Sequence, residues 1–170
     1  GAAVATARDV RNERGDGGGA ATDGVYVVAE DGRLAAFDGG GENRWQAAVG
    51  RGQFPPAAGS GRVVVPGRGR LDVFDAESGD ALRSIEIPGN VLYSPTLIGD
   101  RAFVGTFSDG VVAVDVVTGE TLWQTGDPSR AYPPLVVDDV AYVVARRWEG
   151  GNDDSGGEWE SDSAGVFVAL

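Results

Sequence analysis

Asp38, Asp75 and Asp115 recur 37 and 40 residues apart, and they are the first carboxylates to weigh as chemistry. Paired acid–base work needs two carboxyl groups about 5–10 Å apart. A recurrence near 40 residues instead places one aspartate in each copy of a structural unit, at equivalent turns far from one another. An aspartate that closes a strand can accept hydrogen bonds from N–H groups of the turn after it. That reading assigns the three to turn capping and leaves no catalytic residue among them.

A second acidic group lies in residues 148–163. It holds six carboxylates and Asn152, with Trp148 and Trp159 bracketing most of it. Asp153, Asp154 and Glu158 are its candidate Ca²⁺ ligands, because that ion takes oxygen donors. The spacing is not that of an EF-hand loop, and a solvated acidic loop accounts for the same residues. The two tryptophans either pin the base of the loop or offer aromatic surface to a partner. The glycine runs Gly15-Asp16-Gly17-Gly18-Gly19 and Gly39-Gly40-Gly41 lead into no helix carrying Lys-Ser/Thr, so neither is a phosphate cradle. Histidine and cysteine are both absent, which removes a nucleophilic triad, a thiolate metal site and a disulfide scaffold.

The elements around these residues are short. In the clearest copy, Pro95–Ile98, Arg101–Thr106, Val111–Asp115 and Glu120–Gln124 read as four strands separated by tight turns at Gly99-Asp100, Ser108-Asp109-Gly110 and Val117-Thr118-Gly119. Fifteen residues separate Asp100 from Asp115, Asp23 from Asp38 and Ser60 from Asp75. Glycine after the aspartate can take the positive φ that a tight turn needs. Trp45 and Trp123 have a broad face to bury against a neighbouring unit, with a small alanine leaving room for close approach. Four short strands per unit, repeated near every 40 residues, predict an all-β fold of four-stranded antiparallel blades.

Ala113, Asp115, Thr118, Gly119 and Trp123 resemble, at all five defining positions, the tryptophan-docking motif of the PQQ-type β-propeller repeat. Ala36, Asp38 and Trp45 repeat it with a turn one residue shorter. Asp75 and Gly79 repeat it with Ser78 for threonine, Val73 for alanine and Arg83 for tryptophan. Val25-Tyr26-Val27-Val28, Asp31-Gly32-Arg33-Leu34 and Ser94-Pro95-Thr96 are similar to the flanking patterns of that family. The resemblance covers residues 20–170, with blades at about 20–49, 54–88, 91–126 and 131–170, after a linker or an N-terminal strand plus loop at 1–19. It implies about four blades of a ring of about seven or eight. The alternative is a closed four-blade ring in which Ala3–Ala7 supplies the outer strand of the last blade.

The resemblance implies several functions, because the repeat builds quinoprotein dehydrogenases, outer-membrane assembly lipoproteins of the BamB kind and other secreted propellers. The dehydrogenases use PQQ, Ca²⁺, a vicinal cysteine pair and a catalytic aspartate. No cysteine pair occurs here. The expected function is therefore a non-catalytic scaffold that presents binding surfaces to a protein partner, at the cell envelope or outside the cell. A fragment of a PQQ-dependent quinoprotein dehydrogenase is the alternative.

Charge narrows the partners. The chain has 26 acidic and 14 basic residues, a net charge of −12, and all its basic residues are arginine. No basic stripe is present to meet nucleic acid. A lysine-free, Asp-rich surface resembles that of haloarchaeal proteins, in which concentrated salt screens the repulsion between hydrated carboxylates. No apolar run reaches the roughly 18 residues of a transmembrane helix.

Overall fold

The structure, a computed structural model, describes residues 2–7, 24–50, 54–91, 93–125, 129–137, 140–147 and 163–168 of the chain. Among them are sixteen strands in four antiparallel sheets and no helix. The first sheet is β1 (Ala2–Ala7), β2 (Gly24–Ala29), β3 (Arg33–Phe37) and β4 (Asn43–Ala48), in that spatial order. The second is β5 (Ala57–Gly59), β6 (Arg62–Gly67), β7 (Arg70–Asp75) and β8 (Ala81–Glu86). The third is β9 (Thr96–Ile98), β10 (Arg101–Gly105), β11 (Val111–Asp115) and β12 (Thr121–Gln124).

The fourth sheet has a broken first strand. β13 (Ser129–Ala131) and β14 (Leu135–Val137) both pair with β15 (Val140–Arg147), and β16 (Ser163–Val168) pairs with β15 as well. Pro133 and Pro134 stand at the break. Proline has no N–H to donate to a ladder, so the strand is interrupted there.

Each sheet packs on the next through alternate side chains. Tyr26, Val28, Leu34 and Ala36 of the first sheet meet Val63, Val65, Phe74 and Ala76 of the second. Val64, Leu71 and Val73, on the opposite face of the second sheet, meet Ala102, Val104, Val112 and Val114 of the third. Phe103 and Ala113 then meet Ala141 of the fourth. The inner strands are thus buried on both faces, which is why Val63-Val64-Val65 and Ala102-Phe103-Val104 are continuous apolar runs. Each valine, leucine or phenylalanine among them contributes about 1.5–3 kcal/mol when fully buried. The first strands β1, β5 and β9 lie side by side along one edge of the stack. This is the blade arrangement of a propeller.

One placement differs from the ring alternative. Ala2–Ala7 pairs with Gly24–Ala29 and forms the first strand of the first sheet, not the outer strand of the last. The first sheet therefore starts before residue 20. A short alanine-rich strand carries no turn signal to assign it to a sheet, and pairing is decided by the partner edge it reaches.

Candidate functional site

Each motif aspartate closes a turn. Asp115 Oδ1 accepts from the N–H groups of Val117 and Thr118, both at 2.8 Å. Asp75 Oδ1 accepts from Glu77 at 2.9 Å and Ser78 at 2.8 Å. Asp38 Oδ1 accepts from Gly40 and Glu42, both at 2.9 Å. Gly41, Gly79 and Gly119 follow at φ of 82°, 79° and 82°, and their N–H groups return to the carbonyls of the same aspartates. The Ser78 N–H holds the Asp75 carboxyl below the usual range, burial opposes this, and the Glu77 N–H lowers it further. At Asp115 the Thr118 N–H acts first, again opposed by burial, and the Val117 N–H adds to the lowering. The three carboxylates sit at separate turns of separate sheets, so they do not converge on a reacting atom.

The residues after these turns reach into the neighbouring blade. Trp45 lies opposite Ala36 in the ladder, and Trp123 lies opposite Ala113. Each pairing is followed by the same irregularity in register. Trp45 packs on the second sheet, where its Nε1–H donates to the Ala76 carbonyl at 3.1 Å. A methyl group placed on Gly79 would lie 2.6 Å from the indole, so only glycine admits the ring. In the second sheet Arg83 stands opposite Val73, and its Cδ would lie 2.9 Å from a methyl on Gly119. Trp123 packs beside Phe103 and against Ala131, Ala141 and Val143 of the fourth sheet.

A second repeat runs along the first strands, and sequence reasoning passed over it. Phe54, Tyr93 and Tyr132 are 39 residues apart, and each stands two positions before a proline: Pro56, Pro95 and Pro134. All three prolines are buried and all three aromatics are half-buried. Phe54 and Tyr93 have ring centroids 5.8 Å apart, and Tyr93 stacks on Tyr132 at 5.2 Å and 26°. The three rings form a row across three successive blades. Only Ser94-Pro95-Thr96 had been singled out in the sequence; a search for aromatic-x-Pro at a fixed interval would have found the whole row.

Arg130 sits against the middle ring of the row. Its guanidinium lies 5.9 Å from the ring centroids of both Tyr93 and Phe107, and its Nη2 donates to the Tyr93 hydroxyl at 3.1 Å. The blade edges meet closely here. A methyl on Gly105 would overlap the Ala131 carbonyl oxygen, and Thr96 Oγ1 donates to the Pro134 carbonyl at 2.7 Å. The row therefore sits on a rigid junction, at the end of the strands where Thr106–Gly110 turns between β10 and β11.

The Ca²⁺ candidates Asp153, Asp154 and Glu158, with Trp148 and Trp159, lie outside the described residues. Among the described residues, no group of three or more carboxylates could hold a metal ion.

Comparison with known proteins points in one direction. The model of the family described as outer membrane protein assembly factor BamB matches residues 30–154. The BamB proteins of Bordetella pertussis and Burkholderia pseudomallei are 31% and 34% identical over 115 and 116 residues. Those matches cover 62% and 63% of this chain but 30% and 28% of the relatives, so the chain spans under a third of their length. The crystal structure of BamB from Moraxella catarrhalis superposes with a TM-score of 0.63 at 21% identity, over 75% of this chain and 41% of that one. The computationally designed Ika4 protein superposes with a TM-score of 0.66 at 16% identity, over 86% of each chain. At these identities the structural likeness shows the fold.

Proposed function

Because this chain belongs to the family described as outer membrane protein assembly factor BamB, we propose that it is a non-catalytic propeller scaffold that holds partner proteins at the cell envelope. The family match over residues 30–154 carries this reading. The site geometry supports it: the motif carboxylates are committed to their own turns, and a row of half-buried aromatics sits on a rigid junction between blades. Rigid aromatic anchors of this kind are enriched at protein–protein contacts. A net charge of −12 directs the binding away from nucleic acid.

Site-specific photocrosslinking tests the reading in the native cell. A crosslinker at Phe107, beside the aromatic row, is expected to capture a discrete polypeptide in the envelope fraction. A crosslinker at Leu122, exposed on an outer strand, serves as the control. Failure to capture any polypeptide at Phe107 overturns the scaffold reading. Adding PQQ with Ca²⁺ addresses the dehydrogenase alternative, which requires a cofactor-dependent absorbance change above about 300 nm.

A further inference from the structure

Arg130 is the arginine whose buried Nε has no hydrogen-bond partner among the described residues. Arg33, Arg62 and Arg70 each pair with an aspartate, at 3.1, 2.8 and 3.0 Å. No carboxylate pairs with Arg130 among the described residues. A guanidinium carries five N–H donors. One Arg130 donor is spent on the Tyr93 hydroxyl, and the buried Nε has no acceptor. A half-buried guanidinium with no carboxylate beside it is costly, so its outer Nη donors retain a demand for an anion. The Tyr93 and Phe107 rings already fix its orientation, which lowers the entropy lost when an anion arrives.

The aromatic row adds a shape to this demand. Its centroids span about 11 Å at most, roughly three residues of extended chain. Tyr132 stacks on Tyr93, Phe54 tilts against it and the Arg130 guanidinium lies 5.9 Å from its centroid, so the ring has little face left for stacking a sugar or a base. The half-buried row instead offers apolar ring surface beside the cation. A polyanion would be repelled by the net charge of −12, whereas a single carboxylate meets only the local cation.

We propose that Arg130 and the Phe54–Tyr93–Tyr132 row form a docking site for an extended segment of a partner protein, one carboxylate of which sits on the guanidinium while an apolar side chain lies along the rings. This inference rests on the protein-scaffold reading and names the chemistry of its partner.

Selection from a random heptapeptide display library against the chain tests it, with each enriched peptide then synthesised and titrated. Enriched peptides are expected to carry Asp or Glu beside an apolar residue. They should bind Arg130→Gln about tenfold or more weakly, with Arg130→Lys in between, because a charged hydrogen bond is lost. Arg83→Gln, on an outer strand, should leave affinity unchanged. Tyr93→Leu should also weaken binding, and it gives a second reading if Arg130→Gln lowers the melting temperature. Peptides without a carboxylate, or equal binding to Arg130→Gln and Tyr93→Leu, overturn the inference while leaving the scaffold reading in place. A library that yields no binder counts against both.

Discussion

The indole of Trp45 on the first blade donates its Nε1–H to the main-chain carbonyl of Ala76 on the second, 3.1 Å away. The Tyr26 hydroxyl donates to the same oxygen at 3.2 Å, and the two rings lie 5.9 Å apart. One carbonyl at the start of a turn therefore receives two aromatic donors from the neighbouring blade. A buried carbonyl must find partners, and here those partners also fix the spacing between sheets.

Gly79→Ala tests that spacing. The new methyl would lie 2.6 Å from Trp45, and φ at this position is 79°, so both the ring and the backbone resist it. The expected loss is about 2–4 kcal/mol, from left-handed strain together with overpacking. Urea unfolding followed by tryptophan fluorescence measures it. A loss below about 0.5 kcal/mol, as for a neutral surface change, would contradict the tight contact.

Turn chemistry made the blades legible before the structure, because aspartate caps a turn with its carboxylate and glycine takes the positive φ the turn needs, and the pair recurs in each copy. The strand at Arg101–Thr106 was legible as a short apolar run between turn signals, and it is apolar because both its faces are buried. Two other features were hidden. Ala2–Ala7 bears no side-chain pattern that selects a partner edge, so its sheet depended on tertiary pairing. The aromatic row was hidden because its residues lie outside the regular strands, just before β5 and β9 and in the break between β13 and β14, where no apolar alternation marks them. Its 39-residue interval was in the sequence, yet the contact from Tyr93 to Tyr132 exists only once the blades stack.

Acid should weaken the fold through Asp75 and Asp115. Both carboxyls titrate below the ordinary value when folded, chiefly through the N–H groups of Ser78 and Thr118. A depressed folded pKa gives stability that is present above the unfolded value of about 3.9 and lost as pH falls through the folded one. Urea midpoints from pH 6 down to pH 2 should fall mainly below pH 4. The Asp75→Asn, Asp115→Asn double variant should start lower and show a flatter profile over the same range. An unchanged profile would remove these turns as the acid-sensitive element.

Salt should act in the opposite sense. With 26 acidic residues against 14 arginines, like-charge repulsion works against the folded state at low ionic strength. The Debye length falls to about 3 Å at 1 M, which screens most of it. Melting temperature is expected to rise from dilute buffer to molar KCl. A flat or falling curve would remove the halophilic reading of this surface.

The sharpest prediction concerns the blade in which arginine takes the tryptophan's place. Ala36 faces Trp45 and Ala113 faces Trp123, but in the second blade Val73 faces Arg83. Val73 is fully buried in the core between the second and third sheets. If the larger valine and the slimmer arginine stem occupy the space that alanine and tryptophan occupy in the other two blades, each single change back must misfit. Arg83→Trp alone should therefore overpack against Val73 and cost about 1–3 kcal/mol. Val73→Ala alone should leave a void and cost a similar amount, about 1–3 kcal/mol. The double variant restores the pairing of the other two blades, and its indole can reach Gly119 as Trp45 reaches Gly79. Its loss should be smaller than the sum of the single losses by about 1 kcal/mol or more, within the usual range for residues in contact. A double-mutant cycle in urea measures this coupling. Strict additivity would mean that the two positions do not share one space, and that alanine opposite tryptophan in the neighbouring blades is not a packing requirement.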